Sequence, residues 1–513
     1  MMDPLLSADK TPLVFGTDTE ISSFTDEPTN IEGEKKKRIS FLPIAAAILF
    51  AVLYMLPIMK SNPTAHSCLA ILVVASFLWG TEGIPAYATA YLVPALSVWL
   101  QISVDPETHL RVPGPDAAQS FSWKFMDPII FIFLGSMTMS ECLSKLHITD
   151  RVSQFVFKRL SKNPKFILLT LMIMNLFIAA FLSNVASTTL VLTFSIPIIR
   201  SLDPDDPYIK ALLFGIAWSG NAGGMPTTIA SPQNVLALDY MRGSENDNIS
   251  LIEWMAFGFP VSLLICISEW VYLILRFKPK RAMINVSENT NNFDPWGIKH
   301  TYAVGITVLT IVLWTLEEKL PSILGHTGIT ALIPVVCFFG SGMLSIEDFH
   351  SIRWSTLSLM GGGLALGEAM KVSGLLDLIS SSCGKFLKKI PMWPLLAVFL
   401  IIIGILASLI NSTSAASIIY PVIETLSSPT HHTALFVTLS ALMISGSQLF
   451  HISSFPNALV SGVCKHLPGQ PDQVTHFTFL EGPEFFIVGW PTLFSSMLII
   501  SSVGYGITFA MKL

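Results

Sequence analysis

The chain has 513 residues, 51% of them hydrophobic and 13% charged, and its formal net charge is −5. Soluble domains usually carry about a quarter charged residues, and a mean hydropathy of +0.61 over this length excludes a water-soluble protein with one core. Apolar runs near the roughly 20 residues that cross a bilayer recur from residue 41 to the C-terminus. The sequence therefore predicts an all-α polytopic membrane protein, and we expect no nucleic-acid partner.

The first residues contrast with the rest of the chain. Residues 1–38 are rich in acidic, hydroxyl and proline side chains and end in the basic run Lys35–Arg38. Because Lys and Arg concentrate on the cytosolic side of membrane proteins, this composition predicts a disordered cytosolic tail. Alternating the following apolar runs across the bilayer gives about eleven transmembrane helices and two re-entrant hairpins. The basic linker 277–297 then returns to the cytosol.

Two halves of the chain, 127–276 and 355–513, carry the same pattern of motifs. In each half a Gly-rich apolar span ends in Glu, a later apolar run is broken by Ser and Asn, and a Gly/Ser-rich break ends near a Pro/Asn pair. Matching positions lie 223 to 228 residues apart: Glu141 and Glu368, Ser183 and Asn411, Asn234 and Asn457. An odd number of predicted spans separates the copies, so they have opposite orientations. Inverted repeats with interrupted helices are typical of secondary transporters.

The broken runs predict re-entrant hairpins over 166–199 and 393–426. Non-helical backbone at membrane depth survives only where it faces protein or water, and a helix that begins at the tip directs free N–H groups and its positive dipole end at an anion. A lone Ser-Asn pair is usually a helix–helix hydrogen bond, but paired tips favour a binding site. The predicted substrate contacts are Ser183, Asn184, Val185, Asn411, Ser412 and Thr413.

Neither tip contains Lys or Arg, so the sequence predicts that neutral donors hold an oxyanion and that bound cations balance its charge. Carbonyl, Asn and Ser oxygens at such breaks suit Na⁺. One candidate site combines Asn184 with the break at 219–224, and the other combines Asn411 and Ser412 with the break at 445–454. The predicted cation ligands are Ser183, Asn184, Gly223, Gly224, Asn411, Ser412, Ser453 and Pro456.

The segment Gly215–Asn234 and the tip Ser183-Asn184-Val185-Ala186 resemble the divalent anion/sodium symporter family, and within it the low-affinity phosphate transporters. This resemblance spans 41–513. It implies sodium-coupled phosphate symport by an elevator mechanism, in which a transport domain bearing both hairpins moves past a homodimeric scaffold. The scaffold helices would then lie in 39–126 and 298–354. Val185 stands where the wider family has Thr, which weakens a dicarboxylate assignment.

Several alternatives stay open at this point. The substrate could be sulfate or a di- or tricarboxylate, and the coupling ion could be a proton. An intramembrane enzyme is disfavoured, because the chain has no HExxH, GxSG or GxGD motif. The membrane could be the plasma membrane or a vacuolar or other endomembrane.

Overall fold

The computed structural model of the protein describes residues 41–511, except 57, 82, 106–107, 109, 158–160, 204, 243–248, 280–294, 317–320, 380, 382–389, 428–431, 462–478 and 481. The predicted tail 1–38 and most of the predicted linker 277–297 lie outside this part. Within it the chain is helical, and the only β pairing is an isolated bridge between Val104 and Arg111. The predicted all-α class is confirmed.

The first half runs from α1 to α11. Helices α1 to α4 precede the first repeat: Leu42–Met55, Pro63–Thr81, Ala86–Trp99 and Gly114–Phe125. Helices α5 to α11 form it: Pro128–Lys145, Ile148–Phe157, Pro164–Phe181, Asn184–Arg200, Pro207–Gly223, Pro232–Arg242 and Leu251–Phe277. Three of these start sharply because Pro occupies the first turn and a polar N-cap accepts a backbone N–H, the caps being Asp127, Asn163 and Asp206.

The second half runs from α12 to α23. Helices α12 to α16 precede the second repeat: Ile298–Leu316, Pro321–Leu324, Thr327–Thr330, Leu332–Gly340 and Ile346–Ser351. Helices α17 to α23 form it: Trp354–Val372, Met392–Leu409, Ser412–Ser427, Thr433–Ser445, Phe455–Ser461, Gly482–Ile499 and Tyr505–Ala510. A 3₁₀ turn at His451–Ser453 precedes α21, and a π-helical turn at Ile500–Gly504 joins α22 to α23.

Six helical segments of the described chain are long and apolar enough to cross a bilayer: Pro63–Thr81, Gly114–Lys145, Pro164–Phe181, Leu251–Phe277, Met392–Leu409 and Pro483–Ala510. Shorter apolar helices lie between them, including Leu42–Met55 and Thr433–Ser445. The protein is therefore a multi-pass membrane protein. The count of about eleven spans stays a prediction.

Two antiparallel helix pairs form hairpins at matching places in the repeats. Helices α7 and α8 pack together with only residues 182–183 between them, and α18 and α19 pack together with only residues 410–411 between them. Leu182 has φ −114° and ψ −98°, and Ile410 is extended, so each first arm stops before the second arm begins. The apolar arms continue to the break, and the small polar residues interrupt the helix there.

A buried amide fixes the first hairpin to the helix behind it. Asn175 on α7 donates to the carbonyl of Ile216 at 2.7 Å and to Ser219 Oγ at 3.1 Å, both on α9. Ser187 on α8 donates to the main-chain carbonyl of Asn175 at 3.0 Å. The Asn175 side chain is fully buried, so these bonds connect three helices without access to water.

We expect Asn175→Leu to destabilise the protein, because it leaves the buried partners of the amide unsatisfied at a cost of about 1–3 kcal/mol per group. The thermal unfolding midpoint of the detergent-solubilised protein measures this effect. Thr193→Ala is the matched control, since Thr193 is exposed on α8 and bonds only within its own helix. Equal midpoints for the two variants would contradict the role assigned to Asn175.

Candidate functional site

The tips of both hairpins line one small cavity. Asn184 comes from the first tip, and Asn411, Ser412 and Thr413 come from the second. The wall is completed by Phe133 on α5, by both Gly/Ser-rich breaks and by the start of α17, the further lining residues being Pro232, Gln233, Arg353, Thr356, Ser454 and Phe455. The cavity volume is about 20 Å³, space for roughly one water molecule. Residues more than 200 positions apart in sequence therefore meet at one point.

Each second arm begins at this cavity. Helix α8 starts at Asn184 and α19 starts at Ser412, so the N-termini of both helices lie beside it. Asn411 caps α19, because its Oδ1 accepts the Thr413 N–H at 3.0 Å. Each helix N-terminus carries a partial charge of roughly +0.5. Two helix N-termini thus border one cavity, an arrangement that can bind an anion.

The cavity is lined by a basic side chain, Arg353, so the expectation that only neutral donors form the site is wrong. Its Nη2 donates to Ser183 Oγ at 3.1 Å, and its guanidinium carbon lies 5.3 Å from the centre of the Phe455 ring. The first tip and the second break therefore hold this side chain in place, by a hydrogen bond and a cation–π contact. The salt bridges among the described residues do not include Arg353. Glu141 interacts with Arg353 electrostatically without forming a salt bridge, so the guanidinium can still donate hydrogen bonds to an anion in the cavity.

The repeat itself carries the signal that points to Arg353. Lys124 lies 229 residues earlier, and each of the two basic residues stands just before the Gly-rich span of its repeat. Lys124 has a different setting, since its Nζ is 2.7 Å from Asp239 and 3.3 Å from Asp127. Both repeats thus have a basic residue at the same position of the motif, and of the two residues only Arg353 lines the cavity.

At the first candidate cation site, some oxygen atoms already accept hydrogen bonds and one has no hydrogen-bond partner. The carbonyl of Gly224 already accepts Ser231 Oγ at 2.8 Å and Asn234 Nδ2 at 2.7 Å. Asn234 Nδ2 also donates to the carbonyl of Thr227, while Asn234 Oδ1 is buried with no hydrogen-bond partner. An amide oxygen of this kind is a good ligand for a hard cation. Asn234, which was not among the predicted ligands, is therefore the strongest candidate here.

The second candidate cation site is more fully hydrogen-bonded. Ser412 Oγ donates to the carbonyl of Ser453 at 2.8 Å, and Ser453 Oγ donates to the carbonyl of Phe450. Asn457, the repeat partner of Asn234, accepts the Asn221 amide at 3.0 Å through its Oδ1. These oxygens already have partners, so the first site fits a cation better than the second.

The other predicted site residues do not line the cavity. Ser183 contacts it through Arg353, and the carbonyl of Val185 accepts Thr189 Oγ1 within α8. Gly223 serves packing, because a methyl group there would lie 2.8 Å from the carbonyl oxygen of Leu176 on α7. Pro456 packs against Gly220. No cluster of three or more His, Cys, Asp and Glu that could hold a metal occurs in the described chain.

The chain is similar in sequence to proteins that are named as anion transporters. Its sequence is 29% identical over 485 residues to the inorganic phosphate transporter PHO87 of Saccharomyces cerevisiae, an alignment that covers 93% of this chain and 50% of PHO87. It is 23% identical over 458 residues to the sodium-dependent dicarboxylate transporter SdcS of Staphylococcus saprophyticus, which covers 82% of this chain and 86% of SdcS. The chain spans about half the length of the fungal relatives it matches.

The fold agrees with this similarity. The YdaH transporter of Alcanivorax borkumensis superposes with a TM-score of 0.57 at 14% identity, over 83% of this chain and 99% of YdaH. The family model described as citrate transporter, CitMHS, matches residues 76–446, which is well over half of the chain. The chain therefore belongs to the CitMHS citrate transporter family, within the divalent anion/sodium symporters that its motifs resemble.

Proposed function

We propose that the protein carries inorganic phosphate across a membrane by symport with Na⁺, using an elevator motion of the two hairpins within a homodimer. The observation that carries this proposal is the convergence of two helix N-termini and the guanidinium of Arg353 on one cavity. PHO87 and PHO90, both named as phosphate transporters, support the substrate. SdcS, named as sodium-dependent, supports the coupling ion.

The charge at the cavity suits a divalent oxyanion. Two helix N-termini and one guanidinium together supply about two positive charges, and Arg binds phosphate through paired N–H donors. Asn184, Ser412 and Thr413 add neutral donors on the cavity wall. Na⁺ is then not needed to neutralise the anion, and its role in the proposal is to couple the movement of the hairpins to an ion gradient.

The size of the cavity favours phosphate over the carboxylates. At about 20 Å³, with Phe133 and Phe455 among its lining residues, it requires its walls to part for any ion larger than water. A compact tetrahedral ion requires the least opening, and each added carbon of a di- or tricarboxylate requires more. Sulfate has the same shape as phosphate and is the nearest alternative substrate.

Flux measurements on the purified protein test the proposal. Proteoliposomes with an inward Na⁺ gradient should accumulate radiolabelled phosphate, and vesicles with equal Na⁺ on both sides should not. Unlabelled sulfate and succinate serve as competitors. If succinate displaces the label more strongly than unlabelled phosphate does, the substrate is a carboxylate. If accumulation follows a proton gradient and does not respond to Na⁺, the coupling ion is a proton.

Asn234 provides a more specific test of the cation site. We expect Asn234→Ala to raise the Na⁺ concentration for half-maximal uptake by roughly tenfold, because it removes the buried oxygen without a partner beside Gly224. The phosphate concentration for half-maximal uptake at saturating Na⁺ should change less. Asn457→Ala, at the equivalent position of the second repeat, is the control. A larger Na⁺ effect in the control would move the cation to the second site.

A further inference from the structure

Glu269 is a carboxylic acid inside a transmembrane helix, away from the cavity walls described above. It lies on α11, which spans Leu251–Phe277, and its side chain is 1% exposed. Gln448 donates a hydrogen bond to its Oε1, while its Oε2 is buried with no partner. Ionisable residues at such positions are costly and usually functional.

No described basic side chain forms a salt bridge with Glu269. The elements that pack against α11 are α7, α9, α12, α22 and the π-helical turn. These elements, and α11 itself near Glu269, carry ionisable side chains: Lys165, Tyr208, Lys210, Cys266, Tyr272, Arg276, Lys299, His300, Tyr302 and Glu484. His451 follows Gln448 in the chain. Lys210 is paired with Glu484. A carboxylate without a counter-ion at this depth is costly, so Glu269 needs a positive partner.

A chain of side-chain amides joins Glu269 to the second hairpin. Asn221 Nδ2 donates to Gln448 Oε1 at 3.1 Å and to Asn457 Oδ1 at 3.0 Å. Asn457 Nδ2 in turn donates to Ser453 Oγ at 3.2 Å. The carbonyl of Ser453 accepts the hydroxyl of Ser412, which lines the cavity. A series of hydrogen bonds, continued through the covalent frame of Ser453, therefore connects the carboxyl group to the candidate anion site.

The repeats differ at Glu269. Asn221 and Gln448 lie 227 residues apart in matching breaks of the two repeats and bond to each other, and the residue 227 positions after Glu269 is Ser496. Ser496 is fully buried on α22 and its hydroxyl has no partner. One copy thus has a group that can bind a proton and the other has a neutral hydroxyl. The difference lies beside the central pair of amides.

We infer that Glu269 is a proton-binding site whose occupancy is transmitted through Gln448, Asn221 and Asn457 to the second hairpin tip. The proton comes from the aqueous phase and binds Oε2, the oxygen that has no hydrogen-bond donor. In the ionised form Gln448 Nε2 donates a charge-assisted hydrogen bond to Oε1, and protonation of Oε2 removes the charge and weakens that bond. Protonation therefore changes the strength of the first hydrogen bond in the chain of amides.

This inference deepens the proposed function, and its test is independent of transport. Infrared difference spectra of the phosphate-free protein, taken between about pH 5 and pH 9, should show a carboxyl C=O band that grows on acidification and is absent from Glu269→Gln. Ser496→Ala is the matched control and should keep the band. A band retained in Glu269→Gln, or one that responds to Na⁺ at constant pH instead of to pH, would overturn the inference.

A second variant keeps the test decisive if Glu269→Gln does not fold. Gln448→Leu retains the carboxyl group and removes the donor to its Oε1, so the midpoint of the band must shift. An unchanged midpoint would show that the titrating group lies elsewhere. In proteoliposomes, the ratio of Glu269→Gln to wild-type uptake should vary with pH, because both proteins face the same ionisation of phosphate. A ratio that does not change with pH would show that protonation of Glu269 does not affect transport, even if Glu269 binds a proton.

Discussion

Arg353→Ala should nearly abolish phosphate uptake. Removing one partner of a buried charged pair costs about 2–5 kcal/mol, which corresponds to a rise of roughly 30-fold or more in the phosphate concentration for half-maximal uptake. The loss follows from the position of Arg353 on the cavity wall, where it contacts Ser183 and Phe455 and has no salt-bridge partner among the described residues. Concentration-dependent uptake by proteoliposomes measures it.

Two further variants separate charge from geometry. Arg353→Lys keeps the charge but loses the planar fork of donors, so its uptake should fall between those of wild type and Arg353→Ala. Lys124→Ala removes the equivalent cation of the first repeat, which is bound to Asp239 and Asp127, and should leave the affinity for phosphate close to wild type. If Arg353→Ala transports as well as Lys124→Ala, the anion does not bind beside the guanidinium.

Asn184→Ala and Thr413→Ala should each reduce uptake to near background. Both side chains line the cavity, one at the start of α8 and the other in the first turn of α19. A lost hydrogen bond to a charged group costs about 1.5–3 kcal/mol, or roughly ten- to a hundredfold in affinity. Asn184→Ala removes no apolar group and Thr413→Ala removes one methyl group, so both proteins should stay folded and in the membrane. Uptake, with the unfolding midpoint measured alongside, checks this result.

The matched controls lie on the same two helices but away from the cavity. Thr193 on α8 and Thr425 on α19 each bond to a carbonyl within their own helix. Their Ala variants should transport normally. Normal uptake by Asn184→Ala and Thr413→Ala would place the substrate elsewhere, whereas equal losses in all four variants would indicate general damage to the hairpins.

The sequence was informative about the architecture because membrane depth imposes strict rules on the backbone. A Ser-Asn pair inside an apolar run breaks a helix where lipid does not permit free carbonyls, so the tips near Ser183 and Asn411 could be located from composition alone. The constant spacing between repeats indicated that the tips would form an equivalent pair. The structure brings Asn184 and Asn411 to the same cavity.

The sequence was less informative about which side chains complete the site. Arg353 stands outside both hairpins, between α16 and α17, and its approach to Ser183 depends on how those helices pack. Asn234 was visible in the motif, but its Oδ1 lacks a hydrogen-bond partner because of how the side-chain amide is oriented by the carbonyls that accept from its Nδ2. Glu269 lies in a long apolar helix with no neighbouring motif. Such properties arise from contacts distant in sequence.

The brevity of the two hairpin turns limits how the protein can move. Three residue steps join Phe181 to Asn184 and Leu409 to Ser412, so the joined ends of the two arms lie at most about 11 Å apart in each hairpin. Any large displacement of a tip must therefore carry the joined ends of both arms with it. The donors that one tip contributes would then move as a unit, and the distance between the two tips is what must increase to admit an anion larger than water.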